Sequence, residues 1–316
     1  IAADSSDLYV IPRFSTAYVD PFQEIPTVGF LCSYFTKDGL PLESAPEFTL
    51  RKAHKRFREV TGYTFEAMGE LEFYIVADDD DMFPAEDQHG YHESTPFAKF
   101  EAFRAEAIQA IAQVGGQIKY GHCEVGNFTL DGKIYEQNEI EFLVNPVESA
   151  ADQLLMAKWI LRSLAYQYGL DITFAPKITT GKAGSGMHIN FSVKSADGED
   201  KLSYVIAGII ARIKEMTVFL NSCKNSYDRL GGRKKAPAYI SWSRENRSQL
   251  IRIPATPKGE ERGELRSPDP IANPYIAFAL IIYAGLYGIE NRLELPPSAD
   301  INLYSASPAE VAKYDS

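Results

Sequence analysis

The chain has 316 residues, 45% hydrophobic and 24% charged, an ordinary globular composition with enough chain for one large core or two modest domains. Its 32 Lys and Arg face 43 Asp and Glu, a formal net charge of −11, which argues against nucleic acid or an anionic membrane as a partner. Cys32, Cys123 and Cys223 are scattered and odd in number, so they supply neither a disulfide scaffold nor a CxxC zinc motif.

From Ser6 to Lys37 the chain reads as irregular and strand-like, punctuated by Pro12, Pro21 and Pro26. After Pro46, apolar residues at Phe48, Leu50, Ala53, Phe57 and Val60 recur at helical spacing and stop at Gly62. Further helices are predicted over Pro96 to Val114, Ala150 to Tyr168, Leu202 to Leu220 and Asn273 to Leu293. Between them LEFYIV, HCEV, NEIEF, GMHINFSV and GELRS alternate polar with apolar residues, as half-buried strands do. Several strand-to-strand connections are short or carry no helix. That favours an α+β layout, a largely antiparallel sheet backed by helices, over a parallel doubly wound sheet. The acidic run Asp78 to Asp81 reads as a solvated loop, and Arg233, Lys234 and Lys235, following Gly231 and Gly232, as a flexible one. The longest apolar run, Tyr275 to Ile289, is too short for a comfortable membrane span, and no signal-peptide pattern is evident. A cytoplasmic protein is expected, and the opening at Ile1 suggests a fragment of a longer one.

The strands carry the chemistry. Alternate side chains share a face, so Glu70 and Glu72 fall together, as do His188, Asn190 and Ser192, and Glu264 with Arg266. Glu124 in HCEV, and Glu139 with Glu141 in NEIEF, add further carboxylates. A single stripe of this kind is what any half-exposed strand shows. Jointly, however, the stripes present Glu, His and Arg where a simply solvated sheet would present Thr, Lys and Ser. Carboxylates crowded on one face repel unless a cation neutralises them. Several Glu with one His suit Mg²⁺ or Mn²⁺ better than Zn²⁺, and arginines beside such ions suit phosphate and carboxylate.

The strings GELEFYI, HCEV, QNEIEF, GSGMHINFS, NSYDRL, SRENRSQLIRIP, GELRSPDPIANPY and NLY follow the order, and nearly the spacing, of the catalytic domain of type I glutamine synthetases, which the chain resembles over roughly residues 6–310. The resemblance implies a curved, largely antiparallel half-barrel backed by helices over residues 46–316, with residues 1–45 a remnant of the N-terminal β-grasp domain and linker. It implies an ATP-dependent carbon–nitrogen ligase of nitrogen metabolism that makes a γ-glutamyl amide from glutamate and ammonia through γ-glutamyl phosphate. Glu72, Glu124 and Glu139 match the ligands of one divalent metal, and Glu70, His188 and Glu264 those of a second. Arg229 and Arg266 match residues that hold the amino acid and its developing charge, with Gly184 offering a backbone contact. Arg247, Arg252 and Arg262 match grips on the nucleotide phosphates, and Ser192 lies where the family binds ATP. Tyr91 and Glu124 resemble part of the ammonium pocket, and Tyr304 matches a tyrosine adenylylated in some bacterial members. The family works as a homo-oligomeric ring in which a neighbour's N-terminal domain completes the site.

Departures from that pattern are specific. Lys235 stands where the family carries a glutamate that closes the site and helps attract and deprotonate ammonium. Reversing that charge at ~4 Å, with an effective dielectric of ~20, costs ~4 kcal/mol of repulsion. A glutamate–amine ligase using a larger amine, such as a polyamine, is therefore the alternative, and a catalytically silent structural homologue is a third reading. The stretch VGNFTLDGKIYEQN reads as a longer loop than usual between Glu124 and Glu139; Ala183 replaces a commonly polar residue and Arg13 a usual Asp. Most of the N-terminal domain and the final C-terminal helices of the family are lacking.

Overall fold

The computed structural model describes residues 6–194, 201–231 and 235–316; Gly232, Arg233 and Lys234 of the basic run lie outside the described residues. The N-terminal segment forms β1 (Tyr9–Pro12), β2 (Tyr18–Val19), β3 (Val28–Gly29) and β4 (Cys32–Phe35), paired as two antiparallel ribbons, β1 with β4 and β2 with β3. Helix α1 (Pro46–Thr61) opens on a proline, whose missing N–H would be unpaired there anyway, and stops at Gly62 with a left-handed φ of 72°.

Next come β5 (Thr64–Asp78), α2 (Glu101–Gln113), β6 (Ile118–Leu130), β7 (Lys133–Phe142), β8 (Asn145–Pro146), α3 (Val147–Tyr168) and β9 (Asp171–Thr173). The chain continues through β10 (Met187–Lys194), α4 (Leu202–Leu220), α5 (Lys224–Leu230), β11 (Trp242–Arg244), β12 (Ile251–Ile253), β13 (Gly263–Leu265), α6 (Pro274–Glu290) and α7 (Pro308–Val311). A nine-stranded sheet runs β11-β12-β13-β10-β5-β7-β6, with β8 and β9 also paired to β5. Its pairings are antiparallel except β11 with β12. This is the α+β layout that the strand alternation predicts.

The alternation also decides which face is dry. Leu71, Phe73 and Ile75 of β5, Met187, Ile189 and Phe191 of β10, and Ile140 and Phe142 of β7 are buried in one hydrophobic core with α1, α3, α4 and α6. Helices α4 and α6 cross at backbone contact, since a Cβ on Gly208 would stand 2.0 Å from the Ala284 carbonyl oxygen and one on Gly288 1.9 Å from that of Tyr204. With the helices on one face, the Glu and His side chains of the same strands are left on the other.

Several boundaries differ from the sequence expectation. The stretch between Glu124 and Glu139 is not a loop: β6 and β7 form a hairpin in which Leu130 pairs with Lys133. Asp131 and Gly132, at φ 51° and 73°, make the two-residue turn, which requires left-handed backbone at both positions. The Asp-Gly pair was the available signal. Helix α2 starts at Glu101 rather than Pro96, because residues 96–100 are turns, and α6 stops at Glu290, before Arg292 at φ 48°. The short α5 and α7 carry too few residues to show a helical period.

Candidate active site

Strand register brings the polar stripes side by side. Glu70 of β5 pairs with His188 of β10 on one side and Glu141 of β7 on the other, and Glu141 in turn with Tyr120 of β6. One step along, Glu72 pairs with Glu139, and Glu139 with His122. Two parallel rows of cross-strand neighbours, almost all titratable, therefore lie on one face.

Glu124 reaches them by a different device. Cys123 pairs with Asn138 and Asn127 with Glu136, so Glu124, Val125 and Gly126 form a bulge opposite Gln137 alone. The segment after β5 covers the bulge: Gln88, Gly90 and His92 donate backbone N–H groups to the carbonyls of Asn127, Val125 and Cys123.

The rows form the floor of a cavity of about 580 Å³ lined by Glu70, Glu72, Glu124, Glu139, His188, Gly184, Tyr91, Lys235, Tyr304 and four arginines, Arg229, Arg247, Arg252 and Arg266. His122, Gln137 and Glu141 line it as well. Three predicted residues lie outside that lining. Glu264 is buried beside it, ion-paired with Arg252 at 2.7 Å and with Arg266, and 3.7 Å from His188 Nδ1. Arg262 donates from Nε to Asn190 at 2.8 Å, and Asn190 donates to Glu70 at 2.8 Å. Ser192 continues the His188 and Asn190 stripe, its buried hydroxyl without a hydrogen-bond partner.

Arg229 is buried and its guanidinium donates to the carbonyls of Ser267 at 2.7 Å and Arg266 at 3.1 Å. It leaves no room at Gly186, where a Cβ would stand 2.6 Å from Arg229 Nη2 and 2.8 Å from His188 Nε2. Lys235 brings Nζ to 6.0 Å from the Tyr91 ring centroid, within cation–π range. The Tyr304 hydroxyl donates to the Arg247 carbonyl at 2.9 Å.

Crowding and burial perturb these groups together. Burial, then the neighbouring Glu124, pushes the Glu72 carboxyl up to about 8, against the pull of Arg229. Burial followed by Glu141 raises Glu70, and burial followed by Glu70, Glu72 and Glu124 raises Glu139 well above the carboxylate range. His188 is driven the other way, first by burial and then by Arg266, so its imidazole is neutral and able to act as a ligand. Carboxyls held protonated around a neutral imidazole are what a cation would displace protons from. Ligand atoms of Glu70, Glu139 and His188 lie within 4.8 Å of one another, as do those of His122, Glu124 and Glu139. Glu139 Oε1 is buried with no hydrogen-bond partner, which fits an oxygen meant for an ion. His122 was not among the predicted ligands, although its i, i+2 spacing from Glu124 on β6 places it on the same face.

Oxygen-rich donors with imidazoles, flanked by buried arginines on an antiparallel sheet, give the site the chemistry of a divalent-cation-assisted enzyme acting on anionic substrates. A family model described as "Glutamine synthetase, catalytic domain" matches residues 43–316. The chain belongs to the glutamine synthetase family. It is 32% identical to the glutamine synthetase of Clostridium saccharobutylicum, over 98% of this chain and 72% of that one. With the glutamine synthetase of Methanosarcina mazei it shares 35%, over 97% and 70%. Among solved structures it is similar to a "GmaS/ADP complex" (TM-score 0.83, 23% identity, covering all of this chain and 74% of the other). A cryo-EM glutamine synthetase of Plasmodium falciparum is also similar (TM-score 0.86, 21% identity, 96% and 67%). Among the described residues no helix is long and apolar enough to cross a membrane.

Proposed function

We propose that this cavity is the site at which ATP drives the joining of glutamate to ammonia. The family implies the use of ATP and divalent metal; the geometry that supports the reading is the meeting of both carboxylate rows with four arginines in one cavity. In the first step an oxygen of the glutamate γ-carboxylate attacks the γ-phosphorus of ATP. A new oxygen–phosphorus bond forms as the bond to ADP breaks, giving γ-glutamyl phosphate. Ammonia then attacks the acyl carbon, inorganic phosphate departs, and the nitrogen gives up a proton.

The protein's share of this work is positioning and charge. Arg229 and Arg266, with the backbone at Gly184, hold the amino acid and its developing charge. Arg247, Arg252 and Arg262 hold the nucleotide phosphates, with Ser192 on the ATP side. Tyr91 and Glu124 form the ammonia pocket, Glu124 facing the positive charge that grows on nitrogen. Glu70, Glu72, Glu124, Glu139, His188 and Glu264 would hold the divalent ions, Mg²⁺ or Mn²⁺, which when bound neutralise the transferring phosphoryl group. We assign residues 1–45 to the remnant N-terminal domain and linker, and the working form to a cytoplasmic homo-oligomeric ring.

The larger-amine reading that Lys235 prompts is not favoured, since the curated relatives bear the glutamine synthetase name. Phosphate release is the test. It should require ATP, glutamate, ammonium and a divalent ion together; release that ignores ammonium, or none with all four present, overturns the proposal.

A further inference from the structure

Among the imidazoles around the cavity, His122 has a geometry that its neighbours dictate. The ring is buried, and its Nδ1 lies 2.8 Å from the Cys123 carbonyl oxygen. A carbonyl can only accept, so Nδ1 carries the hydrogen. In the neutral ring, Nε2 is then a bare lone pair, and it faces Glu139 Oε2 at 3.2 Å. Once Glu139 gives up its proton the two atoms are both acceptors, and a cation between them satisfies both. The plane of the ring is held as well: it stacks on His92 at 4.5 Å and on Tyr120 at 5.2 Å, with Tyr91 edge-on at 5.5 Å. An imidazole whose far nitrogen is pinned by a backbone carbonyl and whose near nitrogen points at carboxylates is the standard preparation of a metal ligand.

The acceptor side agrees. Glu124 brings a carboxylate oxygen within 4.8 Å of both His122 and Glu139. Glu139 Oε1, also buried, has no hydrogen-bond partner, and Glu139 belongs to the Glu70 and His188 group as well. Glu139 is thus common to both groups of candidate ligands.

We infer that His122 supplies its Nε2 to a divalent ion shared with Glu124 and Glu139, and that this nitrogen biases the ion's identity towards Mn²⁺ over Mg²⁺. The inference rests on the reading above that the cavity holds divalent ions, and adds a ligand to it. The physical basis is donor softness: Mg²⁺ strongly prefers oxygen, whereas transition ions such as Mn²⁺ accept imidazole nitrogen, so a nitrogen in place of an oxygen favours the latter.

The test is binding of Mn²⁺ alone and Mg²⁺ alone to the intact, metal-stripped protein, followed by calorimetry and by the electron paramagnetic resonance of free Mn²⁺. His122→Gln, which keeps side-chain length and a hydrogen-bonding group, should weaken one of the Mn²⁺ sites by about tenfold or more while changing Mg²⁺ affinity less than about threefold. Equal losses for the two ions, or unchanged Mn²⁺ binding, overturn the inference. A second measurement does not depend on that variant folding. In His188→Gln protein loaded with Mn²⁺, pulsed resonance should still detect a directly bound imidazole nitrogen, and its absence counts against His122. Wild-type protein that binds no Mn²⁺ at all would overturn the divalent-ion reading itself, a result distinct from failure at His122 alone.

Discussion

Gln137 donates its side-chain amide to Glu72 Oε2 at 3.1 Å and to the Gly184 carbonyl at 3.0 Å, while its own carbonyl accepts the Gly126 N–H at 3.0 Å. One buried side chain on β7 therefore ties together a carboxylate of the floor, the loop assigned to the amino acid, and the bulge that turns Glu124 inward. Gln137→Leu leaves these groups short of partners, a cost of about 1–3 kcal/mol in stability. With Gly184 assigned to the amino acid, KM for glutamate should rise roughly tenfold, about 1.4 kcal/mol, with a smaller change for ATP. Steady-state kinetics with each substrate varied separately would show it; equal shifts in both would mean that Gln137 acts only on stability.

The raised carboxyls make stability depend on pH in a definite sense. Glu72 ionises near 8 in the folded protein against an ordinary value of 4.5, so its contribution is complete at low pH and is lost as pH rises through that window. Glu70 and Glu139 are shifted in the same direction. Protein treated with a chelator should thus melt at progressively lower temperature from about pH 5 to pH 8, and saturating Mg²⁺ should flatten that slope. Calorimetry at pH 7 should also record proton release on ion binding. Identical slopes with and without the ion would contradict this.

Glu264 neutralises two arginines at once, Arg252 and Arg266, and is itself almost wholly buried. Glu264→Ala strands both cations, so a loss of about 3–5 kcal/mol is expected in urea denaturation, together with loss of ion-dependent nucleotide binding. Glu264→Gln should retain more stability while still losing that binding. A variant with normal nucleotide affinity would remove Glu264 from the ion site.

Lys235 lines the cavity with its ammonium close to the Tyr91 ring. Charge reversal by Lys235→Glu should lower KM for ammonium by about tenfold, a discounted share of the ~4 kcal/mol that like charges cost at close range, because the side chain is partly solvated. KM for ATP should hold. An unaltered ammonium dependence would mean that the side chain turns away during turnover.

Lys158, on α3 beneath the loop that follows β13, donates to the carbonyls of Pro270 at 2.5 Å and Ala272 at 3.4 Å. Burial pulls its amine down to about 8 from 10.5. The unfolded chain then binds more protons than the fold between those values, so this group adds stability as pH rises from about 8 to 10, up to roughly 3 kcal/mol. Lys158→Met should remove that rise, measured as the difference between wild-type and variant denaturation midpoints at pH 7 and pH 10.

Local pattern determined a good deal of this protein. Alternation along GELEFYI and GMHINFS separated the face that carries Glu70, Glu72 and His188 from the one that packs Leu71, Phe73 and Met187, because side chains on extended backbone point to opposite sides whatever the partner strand. Apolar spacing located α1 and α4 to the residue or nearly so. Other features needed neighbours. Asp-Gly at 131–132 marked a hairpin, but only pairing turned the apparent loop into strands. The bulge that aims Glu124 is covered by Gln88, Gly90 and His92, and the His92 ring stacks on His122, contacts between segments some thirty residues apart. Which carboxylates share a proton or an ion is likewise a matter of register, since a one-residue slip of β7 would send Glu139 into the core. The chain's own periodicity fixes direction; distance between charges, and with it chemistry, is created when the strands meet.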